Sequence, residues 1–339
     1  GILSAYPAEV QELRQALLKF KKSGKWIIAY ADTYSRSAYY LCSVADKVYL
    51  NPIGMLDWSG LSSNPMFFTG LMKKLGIKMQ VFKVGTYKSA VEPYIAEQMS
   101  DANREQVSSY QQSIWNNMLK DVAKSRKTTV EALNSLADSL TILSGPEASV
   151  KGGLVDKLCY QDEVKKILKN KAKMEEDESL RFVSISDVAL SEELNDKVDD
   201  EIAVYYAYGE IKEDITGGFA QESAITSKQM TKDLQELRED DDVKAVVLRV
   251  NSPGGSAYAS EQIWREVQLL SKEKPVIVSM GALAASGGYY ISCGANKIFA
   301  EPTTLTGSIG IFGMIPDATE LLTDKLGLSF DVVKTNAHS

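Results

Sequence analysis

Ser286 stands in the run Ala284-Ala285-Ser286-Gly287-Gly288, in a chain of 339 residues whose single histidine is His338. Small residues around a hydroxyl suit an exposed nucleophile at a sharp strand-to-helix turn. The run is not G-x-S-x-G, because Ala284 stands where that motif has glycine, so the hydrolase elbow is an analogy only. A serine becomes nucleophilic when a neighbour takes its proton, and the usual acceptor is an imidazole. Here imidazole is all but missing. The best alternative base in such a chain is a lysine amine.

Composition bounds the rest. At 339 residues the chain is long for one core and comfortable for two domains. A net charge of −7 argues against nucleic-acid binding, which needs a basic face. The cysteines Cys42, Cys159 and Cys293 lie far apart with no C-x-x-C pair, so each is expected to be a buried small apolar residue. They form no zinc site, and no metal or other cofactor is expected. No stretch reaches the ~18 apolar residues of a membrane span, and no signal peptide is visible. Gly1 is no initiator methionine and the last residues follow a strand-like run, so the chain reads as part of a longer protein.

Two segments 250 positions apart share a pattern without a gap. Trp26–Tyr30, Tyr39-Tyr40-Leu41, Ala45–Val48 and Asn51-Pro52 match Val276–Met280, Tyr289-Tyr290-Ile291, Ala295–Ile298 and Glu301-Pro302. With one added residue the match continues through Leu75-Gly76-Ile77 against Leu326-Gly327-Leu328, and Val81-Phe82-Lys83 against Val332-Val333-Lys334. A repeat this long means two copies of one domain rather than a solenoid. Each copy reads as α/β. Ile202–Tyr206, Val243–Val250 and Val276–Met280 are apolar runs suited to buried strands. Ser227–Glu239 and Ser260–Ser271 are helices of the second copy, Ala102–Lys124 and Glu131–Ala137 helices of the first. The order favours crossovers and mainly parallel sheets. The first copy spans 1–172 without its opening strands, 173–195 is a linker region around the charged run Lys171–Glu178, and the second copy spans 196–339 without its C-terminal part.

The copies disagree where chemistry would sit. Ser286 aligns with Arg36, Ser308 of Thr306-Gly307-Ser308-Ile309-Gly310 with Trp58, and Lys88 of Gly85-Thr86-Tyr87-Lys88-Ser89 with Ser339. One copy holds both serines and the other holds the lysine. Such complementary loss fits a site assembled from two copies. As a base Lys88 must be neutral, so its pKa must fall from ~10.4 toward ~7–8. A fall of that size corresponds to roughly 4 kcal/mol, which desolvation can supply.

Asn251-Ser252-Pro253-Gly254-Gly255, the Ser286 run and the Ser308 run, together with Gly85–Tyr94, resemble the signal peptide peptidase A (protease IV) family in its long, duplicated form. The resemblance covers nearly the whole chain. It implies two tandem Clp protease/crotonase-like domains and a membrane-associated serine endopeptidase with a Ser/Lys dyad. Substrates would be apolar peptides such as cleaved signal peptides. Gly145–Ala148 with Gly152–Asp156 resembles the end of a crotonase-like domain, closing the first copy.

The implied roles make chemical sense. Ser286 attacks the peptide carbonyl, Lys88 takes its proton, and Ser308 orients the amine. Gly287, at a helix start, offers one N–H to the oxyanion, and Gly254 or Gly255 offers the second. The resemblance further implies a homo-oligomer (a ring or bowl such as a tetramer), an anchor ahead of Gly1, and a bacterial inner membrane with the catalytic domain on its outer, periplasmic face. Whether Lys88 and Ser286 pair within or between chains is left open. Two other readings stand beside this one. A crotonase-type acyl-thioester enzyme would use the same oxyanion hole without needing Lys88 and Ser308. An inactive peptide-binding scaffold would follow if the losses at Arg36 and Trp58 extended to the rest.

Overall fold

The computed structural model describes residues 3–175, 177–191, 200–214 and 224–337. It opens with helix α1 (Pro7–Lys22), strand β1 (Ile28–Tyr34), helix α2 (Arg36–Cys42) and strand β2 (Lys47–Leu56). Helix α3 (Thr69–Leu75), strand β3 (Lys78–Lys83), helix α4 (Glu92–Ile95) and the long helix α5 (Asp101–Arg126) come next. Helices α6 (Val130–Asp138) and α7 (Pro146–Lys151), strand β4 (Lys157–Leu158) and helix α8 (Gln161–Ala172) follow. Within 173–195 lies the short helix α9 (Ile185–Leu190). Strands β5 (Glu201–Tyr208), β6 (Glu210–Lys212) and β7 (Ala224–Thr226) lead to helix α10 (Ser227–Glu239) and strand β8 (Val243–Ser252). Helix α11 (Ala257–Glu273), strand β9 (Val276–Ala285) and helix α12 (Gly287–Ser292) carry the chain past Ser286. Strands β10 (Lys297–Phe299), β11 (Leu305–Gly307) and β12 (Phe312–Asp317) come last.

The chain divides into two compact units, Gly1–Leu61 with Gln112–Leu305, and Ser62–Gln111 with Thr306–Ser339. The first contains two parallel sheets, ordered β1-β2-β4 and β10-β9-β8-β5, each over its own core. Val10, Tyr39, Leu50, Trp58, Leu119 and Leu133 are in one core. Met230, Leu234, Leu248, Val250, Ile263 and Val267 are in the other. Alternation along β8, with Val246, Leu248 and Val250 inward, is what an apolar β-branched run adopts when one face packs on helices. In the second unit β3 and β12 pair antiparallel, Lys83 opposite Phe312 and Lys78 opposite Asp317. The protein is thus mixed α/β with mainly parallel sheets.

The repeat recurs in the elements. β2 begins at Lys47 and β10 at Lys297, and the helices before them cover Arg36–Cys42 and Gly287–Ser292. The equivalence reaches further back than the sequence match, to α1 from Pro7 and α11 from Ala257. The cysteines depart from expectation. Cys159 is buried, but Cys42 is only partly covered and Cys293, the residue that caps the end of α12, lies at the surface. Among the described residues no helix is long and apolar enough to cross a membrane. His338 and Ser339, the position matching Lys88, lie outside the described residues.

Candidate active site

Strand β9 runs to Ala285, and the chain then turns at Ser286 with φ 52° and ψ −114° before entering α12. A non-glycine residue in this region costs of order 1–3 kcal/mol and persists only where its surroundings enforce it. The surroundings here are glycines. A Cβ at Gly287 would lie 2.5 Å from Ser260 Oγ, and one at Gly288 would lie 2.8 Å from the Ser252 carbonyl oxygen. Both glycines are buried, and Ser286 itself is half-buried. The Ser286 carbonyl accepts the Tyr290 N–H at 2.9 Å, which fastens the turn to the helix it opens.

The Asn251–Gly255 segment lies against this turn. A Cβ on Gly254 (φ 95°) would stand 2.6 Å from the Gly287 nitrogen and 2.9 Å from Ser286 Cβ, so only glycine fits. At Gly255 the obstacle is β6, since a Cβ there would lie 2.0 Å from the Ile211 carbonyl oxygen. Ile211 N–H donates to the Gly254 carbonyl at 2.9 Å, and Ser256 N–H to the Ile211 carbonyl at 2.8 Å. Gly254 N–H donates to Ser252 Oγ at 3.1 Å, and Ser252 is fully buried. The amides of Gly255 and Gly287 take part in none of these bonds.

In the other unit, Lys88 is 4% exposed. Its Nζ donates to the Ser308 carbonyl at 2.8 Å and to Ser308 Oγ at 3.0 Å, with the Phe312 ring centroid 5.8 Å away. Removal from water disfavours the ammonium and holds the Lys88 pKa below that of a free lysine. Ser308 has a left-handed backbone (φ 56°) between Gly307 and the positive-φ Gly310. The loop that carries Lys88 is tied to the start of α5 at three points. Tyr87 Oη donates to Glu105 at 2.9 Å, and Gln106 Nε2 donates to Ser89 Oγ at 2.6 Å. Buried Glu92 accepts from Ser100 N–H, Ser100 Oγ and Asn103 Nδ2 at 3.2, 2.6 and 2.9 Å. These donors hold its carboxyl below the usual carboxylate range, against the opposing effect of burial.

The six residues singled out from sequence therefore form two clusters: Ser286, Gly287, Gly254 and Gly255 around one turn, and Lys88 with Ser308 in direct contact. At the matching positions of the first copy, structural side chains have taken over. Trp58 is buried, its Nε1 donating to the Leu133 carbonyl at 3.0 Å, with the Tyr39 and Trp115 rings at 5.5 and 5.1 Å. Arg36 donates to the carbonyls of Ser59 and Gly60 at 3.2 and 2.7 Å. Sequence reasoning gave Glu92 and Asn251 no role, though both lie inside quoted motifs. An acidic side chain shortly before a Ser100-Asp101 helix start is the signal that could have found Glu92. Among the described residues no group of three or more His, Cys, Asp or Glu side chains could hold a metal ion.

The family profile described as Peptidase family S49 matches residues 19–175 and 268–339. The chain is 39% identical to "Protease 4" of Salmonella typhi over 330 residues, 95% of this chain and 52% of that protein. It is likewise 39% identical to "Protease 4" of Haemophilus influenzae, over 94% of this chain and 53% of that one. With "Serine protease SPPA, chloroplastic" of Arabidopsis thaliana it shares 34% identity over 91% of this chain and 46% of the plant protein. It thus spans about half the length of these relatives. The chain belongs to peptidase family S49.

Proposed function

We propose that the protein is a serine endopeptidase acting through an acyl-enzyme on Ser286, with Lys88 as general base. The observation that carries this reading is the buried Lys88 amine, its pKa lowered by desolvation and its Nζ 3.0 Å from Ser308 Oγ. A surface lysine would be charged at neutral pH and useless as a base. As Ser286 Oγ bonds to the scissile carbonyl carbon, its proton passes to Lys88 Nζ, which then gives it to the leaving amine. A water then releases the acyl group by the same steps in reverse roles. Ser308 orients the amine. Gly287 supplies one oxyanion N–H. Gly255 supplies the second in this reading, because the Gly254 amide is already engaged by Ser252 Oγ.

Two observations favour the peptidase over its rivals. An acyl-thioester enzyme has no use for a buried Lys88–Ser308 pair. A scaffold gains nothing from holding Ser286 at φ 52°. The exposed apolar residues Phe82, Val84, Ile309 and Ile311 in the unit that carries Lys88 favour apolar, extended peptides such as signal-peptide remnants as substrates. Membrane association through an anchor, placement on the outer face of a bacterial inner membrane, and a closed ring or bowl of copies complete the proposal.

The test is a β-lactone probe, which acylates activated serines, followed by intact-mass analysis from pH 6 to 10. A single adduct on Ser286 that grows with pH and disappears in Lys88→Ala is the expected result. No adduct on a folded protein would favour the scaffold; an adduct indifferent to Lys88 would leave the nucleophile standing without its base. Mixing Ser286→Ala with Lys88→Ala chains decides the pairing, since recovered labelling requires a site shared between chains.

A further inference from the structure

The pairing of β8 with β9 breaks just before the Ser286 turn. Val250 pairs with Met280 and Ser252 with Ala284, so β9 takes four steps where β8 takes two. Gly281–Leu283 therefore bulge, and a bulge leaves backbone groups without ladder partners. Two side chains pick them up. Thr304 Oγ1 donates to the Gly281 carbonyl at 2.8 Å, and Leu283 N–H donates to Asn251 Oδ1 at 3.0 Å.

The far end of the Asn251 amide reaches the first copy. Its Nδ2 donates to Glu9 Oε1 on α1 at 3.1 Å. An ionised carboxylate only accepts, so Glu9 dictates that the amide nitrogen faces it and the oxygen faces Leu283. The carboxylate is itself steadied, since Glu9 Oε2 takes the Tyr6 N–H at 3.0 Å. The adjoining turns of α1 hold nearby segments of the second copy. Arg249 donates to Glu12 Oε2 at 2.7 Å, and Thr303 Oγ1 donates to Gln11 Oε1 at 2.6 Å with both residues buried. Helix α1 thus grips the end of β8, and through Asn251 the bulge of β9, together with the segment after β10. These are the elements that lead into and flank Ser286.

We infer that Glu9 and Asn251 are positioning residues for the Ser286 turn, and that helix α1 of the first copy sets the nucleophile of the second through the Asn251 amide. This rests on Ser286 being the nucleophile of the proposed peptidase. Asn251→Asp tests it, because the new carboxylate still accepts from Leu283 but faces Glu9 with like charge. Glu9→Gln alone can still accept from Asn251 Nδ2. In the double variant the Gln amide donates to Asp, restoring the contact with its polarity reversed.

In the full-length protein, well below every Tm, the rate of β-lactone acylation at Ser286 is measured for each variant. Expected are roughly tenfold slower acylation in Asn251→Asp, a near wild-type rate in Glu9→Gln, and recovery in Asn251→Asp with Glu9→Gln. Should Asn251→Asp fail to fold, Glu9→Ala replaces it, and severalfold slower labelling at an unchanged pH midpoint is expected. Wild-type labelling in Asn251→Asp, or equal loss in the single and double variants, overturns the inference alone, as does wild-type labelling in the replacement Glu9→Ala. If the unsubstituted protein acquires no adduct, the peptidase reading fails first and takes this inference with it.

Discussion

At the scale of single residues the proposed chemistry is a matter of one proton and two amides. Lys88 is held below the free-lysine pKa by burial, so its neutral form is populated at lower pH than in an exposed lysine. Acylation of Ser286 should rise with pH through a midpoint below ~10.4 and then level off. Lys88→Arg should acquire no adduct at any pH up to 10, since a guanidinium stays charged throughout; intact mass across the pH series checks both outcomes. The glycines make a different kind of prediction. Gly255→Ala places a methyl 2.0 Å from the Ile211 carbonyl oxygen, a backbone atom that cannot step aside cheaply. Its Tm should drop, with β6 pushed away from the Gly254–Ser256 turn. The candidates for these proposed roles stood out in the sequence because each motif pairs a reactive side chain with residues that only a tight turn explains. The preference for Gly255 over Gly254 in the proposal did not, since it depends on where Ser252 Oγ points.

At the scale of elements the question is what keeps Lys88 in place. Its loop has little regular structure, and the fastening comes from side chains reaching the start of α5. Buried Glu92 accepts three hydrogen bonds there, one of them from the buried Asn103 side chain, whose amide would lose this partner. Glu92→Ala should destabilise by about 1–3 kcal/mol and slow acylation of Ser286 through looser placement of Lys88. The pH sense follows from the lowered carboxyl pKa. This contribution is present above the unfolded value of ~4.3 and is lost as pH falls through the lower folded value. Urea denaturation of Glu92→Ala beside the parent at pH 7 and pH 3 would reveal it as a difference that shrinks in acid. Three of the strands and four of the helices could be read from periodicity, Ser227–Glu239 to the residue. The extension of β9 to Ala285 could not, because a bulge interrupts the very alternation that marks a strand.

At the scale of the molecule, the repeat visible in sequence recurs as β1-α2-β2 and β9-α12-β10, with Ser286 at one turn and Arg36, bonded to the Ser59 and Gly60 carbonyls, at the other. The contacts of α1 across the two copies were beyond reach from sequence, because they join residues some 240 positions apart (Glu9 and Asn251) with no shared motif. The left-handed backbone at Ser286 has a consequence for the whole fold. Glycine adopts φ 52°, ψ −114° without the steric penalty that serine bears there. Ser286→Gly should therefore raise the global stability by about 1 kcal/mol, and Tm by about 2 °C, in a protein that no longer acylates. Differential scanning calorimetry beside Ser286→Ala, which keeps the Cβ and should gain nothing, separates this effect from loss of the hydroxyl. A screen that rewards thermal robustness alone would drift toward inert variants at this position, so activity has to be scored in parallel whenever the protein is engineered.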